Sequence, residues 1–369
     1  MHARGSLVSH FQVQRSRAFG SCHAMVRCLL TATDVKEALA APLQDLPAVD
    51  FAFAYGSGVF QQPGNLILSR NEAPMVDYIL GVQMPTRWHS ENIERNPHHY
   101  NSWLSWFGGK GVSYVAEKVG AGVHFNAFVP WKDKMIKYGV IGMGDLAEDL
   151  LTWKSLYISG RLQKPVRFLV DNWDMAKVNQ VNLHAAASTA LLLLPSQFSE
   201  EDFYAKICGL SYMGDIRMLF AEDKNKVQRI VKGSSKHFHR LYRAPLFHMA
   251  AEGILELPRT FGDVRSLIKR VGFFEDCSPY ATKSLVRSLP ETILQKMFPY
   301  VRIRHNSELL LSSGEASEHV QRAIRSIVRS SSTKQMLSGL LAAGALNSLQ
   351  YVWKKTMKAL RSRAPRKSD

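Results

Sequence analysis

Nowhere does this chain approach the ~20 consecutive apolar residues that a membrane-spanning helix needs. Its longest apolar passages, residues 185–194 and 337–346, are too short, so any membrane contact is expected to be peripheral. Cysteine is scarce. Cys22, Cys28, Cys208 and Cys277 form no CxxC pair and no Cys/His cluster at zinc-finger spacing. That argues against a structural zinc and a disulfide framework, and it suits a reducing compartment. There is no internal repeat and no low-complexity block. Acid is missing from the N-terminus. The first carboxylate is Asp34, and before it stand Arg4, Arg15, Arg17 and Arg27 among serines, histidines and apolar residues. An arginine-bearing, acid-free leader has the composition of a mitochondrial transit peptide. Residues 1–33 are expected to be such an address or, on the plainer reading, a basic tail.

What is present is ordinary globular composition in 369 residues, 46% apolar and 21% charged, enough for two domains. The net charge of +16 and pI near 9.7 point to a polyanion: nucleic acid, a phosphorylated substrate or an anionic membrane. Residues 34–165 alternate strand-like runs at 51–55, 75–82, 122–129 and 135–141 with helical patterns at 96–104, 112–118 and 145–156. This predicts a small α/β sheet, with 130–134 as a hairpin connection. Residues 166–248 read as mostly helical, with a core helix over 178–194, a helix start at Ser199, a turn at Met213-Gly214-Asp215 and a helix over 223–231. Residues 249–332 are broken by Pro258, Gly262, Pro279, Pro290 and Pro299 and end in a helical pattern over 315–330. Residues 333–369 carry a last helical pattern, to 360, and a basic tail.

The most informative segment is Tyr55-Gly56-Ser57-Gly58, where an apolar strand runs into a Gly-Ser-Gly turn. Glycines let backbone N–H groups approach a phosphate closely, and the serine hydroxyl adds a donor. An isolated Gly-Ser-Gly is more often only a tight turn. The next strand, Val76-Asp77-Tyr78-Ile79-Leu80, is apolar except for one carboxylate. A Gly-Ser turn on one strand and Asp on its neighbour form the core of the nucleotidyltransferase superfamily, in which the turn holds a nucleotide triphosphate and strand carboxylates hold magnesium. The usual second acid of that pattern is replaced here by Ile79, which removes one expected metal ligand.

With Trp88-His89-Ser90-Glu91-Asn92, Gly120-Ala121-Gly122-Val123-His124-Phe125-Asn126, Ile136-Lys137-Tyr138-Gly139, Tyr157-Ile158-Ser159-Gly160-Arg161-Leu162-Gln163-Lys164-Pro165 and Gly209-Leu210-Ser211-Tyr212-Met213-Gly214-Asp215-Ile216-Arg217, the pattern spans about residues 51–231. It resembles the mitochondrial translocator assembly and maintenance family, the mitochondrial phosphatidate cytidylyltransferases. The resemblance implies a nucleotidyltransferase domain, a winged-helix-like helical domain and a C-terminal membrane-associating helix. It implies Mg²⁺ as cofactor, CTP and phosphatidic acid as substrates, and a product, CDP-diacylglycerol, that feeds cardiolipin and phosphatidylglycerol synthesis. It places the protein on the matrix side of the mitochondrial inner membrane, bound peripherally to an anionic surface. Neither a nucleic acid nor an obligate protein partner is expected.

Candidate site residues follow. Tyr55, Gly56, Ser57 and Gly58 would hold phosphates, and Asp77 the metal. Lys137 would neutralise phosphate charge, although a strand lysine can also be merely solvated. Arg161 and Lys164 could bind CTP phosphates or the phosphatidate headgroup, or be a basic loop. Asp215 and Arg217 could be an ion pair that orders a turn; alternatively, Asp215 supplies the carboxylate missing at position 79 and acts with Asp77 in catalysis. Glu148 and Asp149 compete for that role or form a solvated helix face. His89 could touch substrate or be structural. In the last helical pattern, Met336, Leu337, Leu340, Leu341, Leu346, Leu349, Val352, Trp353, Met357 and Leu360 make one apolar side, and Lys354, Lys355, Lys358 and Arg361 gather at its end. Such a helix reads as lying on an anionic bilayer, or else as packed on the protein's own core. Two other functions would use the same parts: a nucleotidyltransferase acting on nucleic acid, and a non-catalytic membrane assembly factor.

Overall fold

Phe51–Tyr55 (β1) and Val76–Val82 (β2) are aromatic and branched residues that bury nearly every side chain. They form the centre of the larger sheet in a computed structural model that describes residues 34–60, 75–220, 225–263, 266–270, 279–297 and 313–343. Val123–Trp131 (β3) and Lys134–Gly142 (β4) make the expected hairpin. The sheet order is β3-β4-β2-β1-β5, where β5 is Arg167–Val170. That last strand lies beyond residue 165, so the sheet runs past the boundary expected from composition. β2 lies antiparallel to β1 and parallel to β4, which sets Asp77 opposite Tyr55 on one side and Lys137 on the other.

Strand alternation splits the polar residues of β2 and β4 between two faces. One face carries Phe53, Tyr55, Ile79, Val123 and Ile141. It packs on Leu146 and Leu150 of helix Met143–Thr152 and on Tyr157 and Ile158 beyond it. The opposite face carries Tyr138, against which Trp88 of helix Pro85–Arg95 (α1) packs edge-on. Pro85 sits in the first turn of α1, where its missing N–H costs nothing.

The remaining core is helical. Trp173–Leu193, Glu200–Leu210, Lys226–Ala251 and Ser313–Ala343 bury one continuous apolar cluster that includes Leu191, Phe203, Tyr242 and Ile324. Ser199 caps its helix in a reciprocal box with Asp202. A three-stranded antiparallel sheet, Gln197–Ser199, Leu267–Arg270 and Leu255–Glu256, lies in this half. The two patterns over 315–330 and 333–360 are, as far as residue 343, one helix. Residues 344–369, with Lys354, Lys355, Lys358 and Arg361, lie outside the described residues. No helix among the described residues is long and apolar enough to cross a membrane.

Candidate nucleotide site

At the end of β1 the chain turns on Gly56, whose φ of +87° is left-handed backbone that glycine adopts without strain. A side chain there would stand 3.2 Å from Asp77 Oδ2. One at Gly58 would stand 2.7 Å from the Met75 carbonyl oxygen. Both glycines therefore let the turn lie directly against the start of β2. The N–H groups of Val59 and Phe60 donate to the Gly56 carbonyl at 3.2 and 3.0 Å, and Ser57 is exposed at the tip. The turn expected from sequence exists, and Asp77 is beside it.

Lys137 reaches Asp77 with Nζ 3.9 Å from Oδ1, and it also lies over the Phe125 ring at 4.5 Å. Asp77 and Lys137 are both partly exposed, so this end of the sheet face is open. The next position on that face, Ile79, is wholly buried. A side chain on its neighbour Gly139 would collide with Phe125 and Ile79. A carboxylate in place of Ile79 would be buried among apolar side chains, a costly place for a charge without a partner.

Arg161, on the short helix Ser159–Leu162, stacks its guanidinium over Tyr55 at 4.5 Å and over Tyr157 at 5.4 Å. Its Nε and the Tyr55 hydroxyl are buried without a hydrogen-bond partner among the described residues. Arg217 lies over the other side of the cluster, 5.8 Å from the Tyr157 ring. Asp215 holds it there. Its Oδ1 accepts from the Arg217 backbone N and Nε, and its Oδ2 accepts from Nη2 at 2.6 Å. The ordering ion pair is thus the geometry found for Asp215. Both of its oxygens are engaged by the guanidinium, so a metal would have to displace Arg217. Lys164 donates to the Gly160 carbonyl and to Ser211 Oγ, each at 2.6 Å, and lies 4.9 Å over Tyr212. Burial pushes its pKa down.

Sequence reasoning missed Tyr157 as a site residue and weighed Asp149 only as a metal ligand or a surface acid, yet the two build this cluster. Asp149 is buried, and its carboxylate is spent within the fold. It accepts six hydrogen bonds: Ser155 N, Ser155 Oγ and Leu156 N on Oδ1, and Ile158 N, Ser159 N and Ser159 Oγ on Oδ2. The clamp grips the chain on both sides of Tyr157 while Trp153 and Leu156 take left-handed φ of 55° and 52°. Burial alone would raise the Tyr157 phenol; Arg217, Arg161 and Lys137 overcome that and bring it down to about 8. Glu148 is on the surface with Lys154, 2.8 Å away. His89 is buried and bonded to the Tyr100 hydroxyl at 2.9 Å, which is its structural reading.

Arg161, Arg217, Lys137 and Lys164 thus gather around Tyr55, Tyr157 and Tyr212, with only Asp77 and Asp215 opposing them in these contacts. Cations in excess beside a Gly-Ser turn can hold a multiply charged anion. Among the described residues no group of three side chains could hold a metal by itself. Asp77 is one carboxylate at the open end, and Mg²⁺ is commonly held by one or two carboxylates plus phosphate oxygens and water. The residues present therefore fit a metal that arrives with a nucleotide.

A family model described as mitochondrial phosphatidate cytidylyltransferase matches residues 39–358. Proteins named mitochondrial phosphatidate cytidylyltransferase are similar over most of their length. The one from Xenopus laevis is 38% identical over 331 residues, 85% of this chain and 91% of that protein. The one from Mus musculus is 39% identical over 325 residues, 84% and 90%. The one from Schizosaccharomyces pombe is 33% identical over 323 residues, 85% and 81%. A crystal structure of a nucleotidyltransferase-like protein from Exiguobacterium sibiricum covers 89% of each chain at 8% identity, with a TM-score of only 0.22. The sequence matches define an enzyme of the nucleotidyltransferase class. Within that class, the chain belongs to the mitochondrial phosphatidate cytidylyltransferase family.

Proposed function

We propose that the protein transfers the cytidylyl group of CTP to phosphatidic acid, giving CDP-diacylglycerol and pyrophosphate. A phosphate oxygen of phosphatidate attacks the α-phosphorus of CTP. A new P–O bond forms, the bond to the bridging oxygen of the β-phosphate breaks, and its electrons leave with pyrophosphate. The nucleophile is already anionic, so no strong general base is needed. The work left to the protein is alignment and neutralisation of charge. Backbone N–H groups of Gly56 and Gly58 and the Ser57 hydroxyl would hold phosphate oxygens. Lys137, Arg161, Lys164 and Arg217 would offset the negative charge, with Arg161 kept in place by Tyr55 and Tyr157 and Arg217 by Asp215. Asp77 is the carboxylate that would hold Mg²⁺, whose chemistry when bound is to neutralise charge on the phosphate oxygens.

The observation that carries this reading is the excess of cations around the Gly-Ser turn and Asp77, in a chain of this family. The helical half with its three-stranded sheet is read as the winged-helix-like domain. The matrix side of the inner membrane is the expected place of work, with product passing toward cardiolipin and phosphatidylglycerol. The residues beyond 343 are assigned to peripheral membrane contact. Purified protein given CTP, Mg²⁺ and phosphatidate vesicles should form CDP-diacylglycerol and pyrophosphate in equal amounts. Transfer of nucleotide to RNA with none to phosphatidate would replace this reading by the nucleic-acid one. No binding of CTP at all would leave a non-catalytic assembly factor.

A further inference from the structure

Away from the nucleotide site, the helices Ser102–Trp106 and Gly108–Tyr114 carry large side chains in solvent. Trp106 is 83% exposed, Tyr114 63% and Phe107 55%. Trp103, Trp106 and Phe107 form one cluster, with the Phe107 ring 6.2 Å from Trp103 and 5.2 Å from Trp106. The cluster sits on firm support. Leu104 and Val112 beneath it are buried in a small core of their own, and Ala342 of the helix Ser313–Ala343 packs against that core. The Trp103 indole N–H donates to the Leu341 carbonyl at 3.0 Å, which ties the aromatic cluster to the end of the long helix. There Leu337 and Leu341, one turn apart, are also exposed. Lys110 and Lys334 lie exposed on these elements, and Glu117 and Lys118 lie exposed on the turn Val115–Val119 that follows Tyr114.

We propose that Trp103, Trp106 and Phe107, together with the Leu337–Leu341 edge, are a bilayer-docking face that seats the main sheet domain at headgroup depth on an anionic membrane. Monomeric soluble proteins seldom expose grouped large apolar side chains without a use for them. Indole and phenol rings beside lysines are the composition of a protein segment at a membrane–water interface, where the ring enters and the cation stays with the phosphates. The place in the chain argues the same way. In the sequence that follows Ala343, residues 344–369 hold Lys354, Lys355, Lys358, Arg361, Arg363, Arg366 and Lys367 against a single acid, Asp369. A following segment of that sign suits an anionic surface better than another copy of this basic chain, which would repel it. The proposal rests on the reading that the substrate is a membrane lipid. It adds a contact made by the folded domain itself.

The test uses the full chain and vesicles of phosphatidylcholine with phosphatidylglycerol, without CTP. The double variant Trp106→Ser/Phe107→Ser should bind these vesicles about ten-fold more weakly or worse. It should still convert a short-chain phosphatidate dispersed below its micelle concentration at the parent's rate. In the otherwise native protein, vesicles containing brominated acyl chains should quench tryptophan emission, and Trp106→Phe should remove a distinct share of that quenching. Unchanged vesicle affinity in the double variant overturns the proposal. So does quenching that Trp106→Phe leaves intact, the result expected if residues 344–369 cover the cluster. A fall in molecular mass of the double variant, with lipid affinity unmoved, would make the face a contact between copies instead. Failure of the parent to turn over dispersed phosphatidate would sink the proposed reaction, whereas the binding and quenching results are read independently of turnover.

Discussion

Lys137 and Tyr138 are neighbours on β4 and face opposite sides of the same sheet, and the polar groups gathered on those two sides obey different rules. Around Tyr138 the cluster is uncharged and closed. Its hydroxyl meets Asn92 Nδ2, Asn126 Nδ2 and His99 Nδ1, each at 2.8 Å. Asn92 also donates to Tyr100 OH, which His89 reaches as well, and His124 bonds Asn126. Burial, and the repulsion that two protonated rings would feel beside each other, holds the His89 pKa well below the ordinary histidine range, and burial brings His124 down to about 4. Around Lys137 the cluster is charged and unbalanced, and the buried Arg161 Nε and Tyr55 OH find no partner among the described residues. His124 Nδ1 in the first cluster also has no partner among the described residues, so what separates the two faces is charge: a neutral network holds a fold together, whereas cations in excess can hold an anionic ligand. Substitutions on the first face should therefore cost stability, and those on the second should cost turnover.

The strongest test of that division is Asp77→Asn. The change keeps size and removes the negative charge, so the fold should melt as the parent does. Turnover should fall roughly 10²–10³-fold or more, the scale on which charge-placing groups act. Turnover within a few-fold of the parent would remove Asp77 from the metal-holding role.

Asp149→Asn should break the division in an instructive way, because Asp149 serves the charged face from a buried position. An amide cannot accept six hydrogen bonds, and its NH₂ would meet the N–H groups of the clamp. Loss of about 3 kcal/mol in chemical denaturation is expected. Released from the clamp, Tyr157 should no longer align Arg161 and Arg217, so KM for CTP should rise in protein that is still folded. Full stability in this variant would show that the clamp is replaceable by water.

A smaller, purely structural effect is expected for Tyr138→Phe. It removes a hydroxyl that three side chains share, at an expected cost of about 1–3 kcal/mol of stability with kcat unchanged. The same face should weaken in acid. His89 and His124 have folded pKa values below that of the unfolded chain, so the unfolded state takes up protons first. Their contribution is complete above about pH 6.5 and is lost as pH falls from there toward about 4. Urea midpoints that do not move over that range would show that these rings are not held neutral.

The four long strands were readable because each concentrates branched and aromatic residues between turn formers. β5 was not, being four residues whose strand identity comes only from pairing with β1. The helical pattern over 145–156 runs through Trp153 without a break, yet the helix stops at Thr152. The cause is the Asp149 carboxylate, which captures N–H groups up to ten residues ahead, and no periodicity records such a capture. The serine run before Thr333 looked like a gap between two helices. In the fold, Ser331 and Ser332 turn their hydroxyls back to the carbonyls of Val328 and Arg329, and one helix continues through them. The candidate site divides similarly. Tyr55, Gly56, Ser57, Gly58 and Asp77 lie on successive strands, so local pattern was enough to associate them. Arg161 is four residues from Tyr157, but Arg217 reaches the same ring from a distant segment, and no spacing encodes that meeting.

Tyr157→Phe should have the smallest effect and sharpens the comparison most, because it removes the ionisable hydroxyl and leaves the ring beside both guanidiniums. In the free protein the cations bring the Tyr157 phenol down to about 8. Above that pH it becomes a phenolate and places a negative charge where the nucleotide's phosphates must sit. A bound triphosphate takes up part of the same positive charge, so the phenol would return toward its ordinary pKa of about 10. By linkage, a ligand that raises the pKa binds better to the protonated form, so CTP affinity should fall as pH rises through about 8. The limit is about ten-fold per pH unit, and a loss of roughly three- to ten-fold between about pH 7.5 and 9 is expected. The phenylalanine variant cannot ionise at this position. Its affinity for CTP should match the parent's near neutrality and stay flat over the alkaline range. Equal slopes in the two proteins would assign the alkaline loss to a lysine of the site, with Lys164, whose pKa burial lowers, as the group to substitute next.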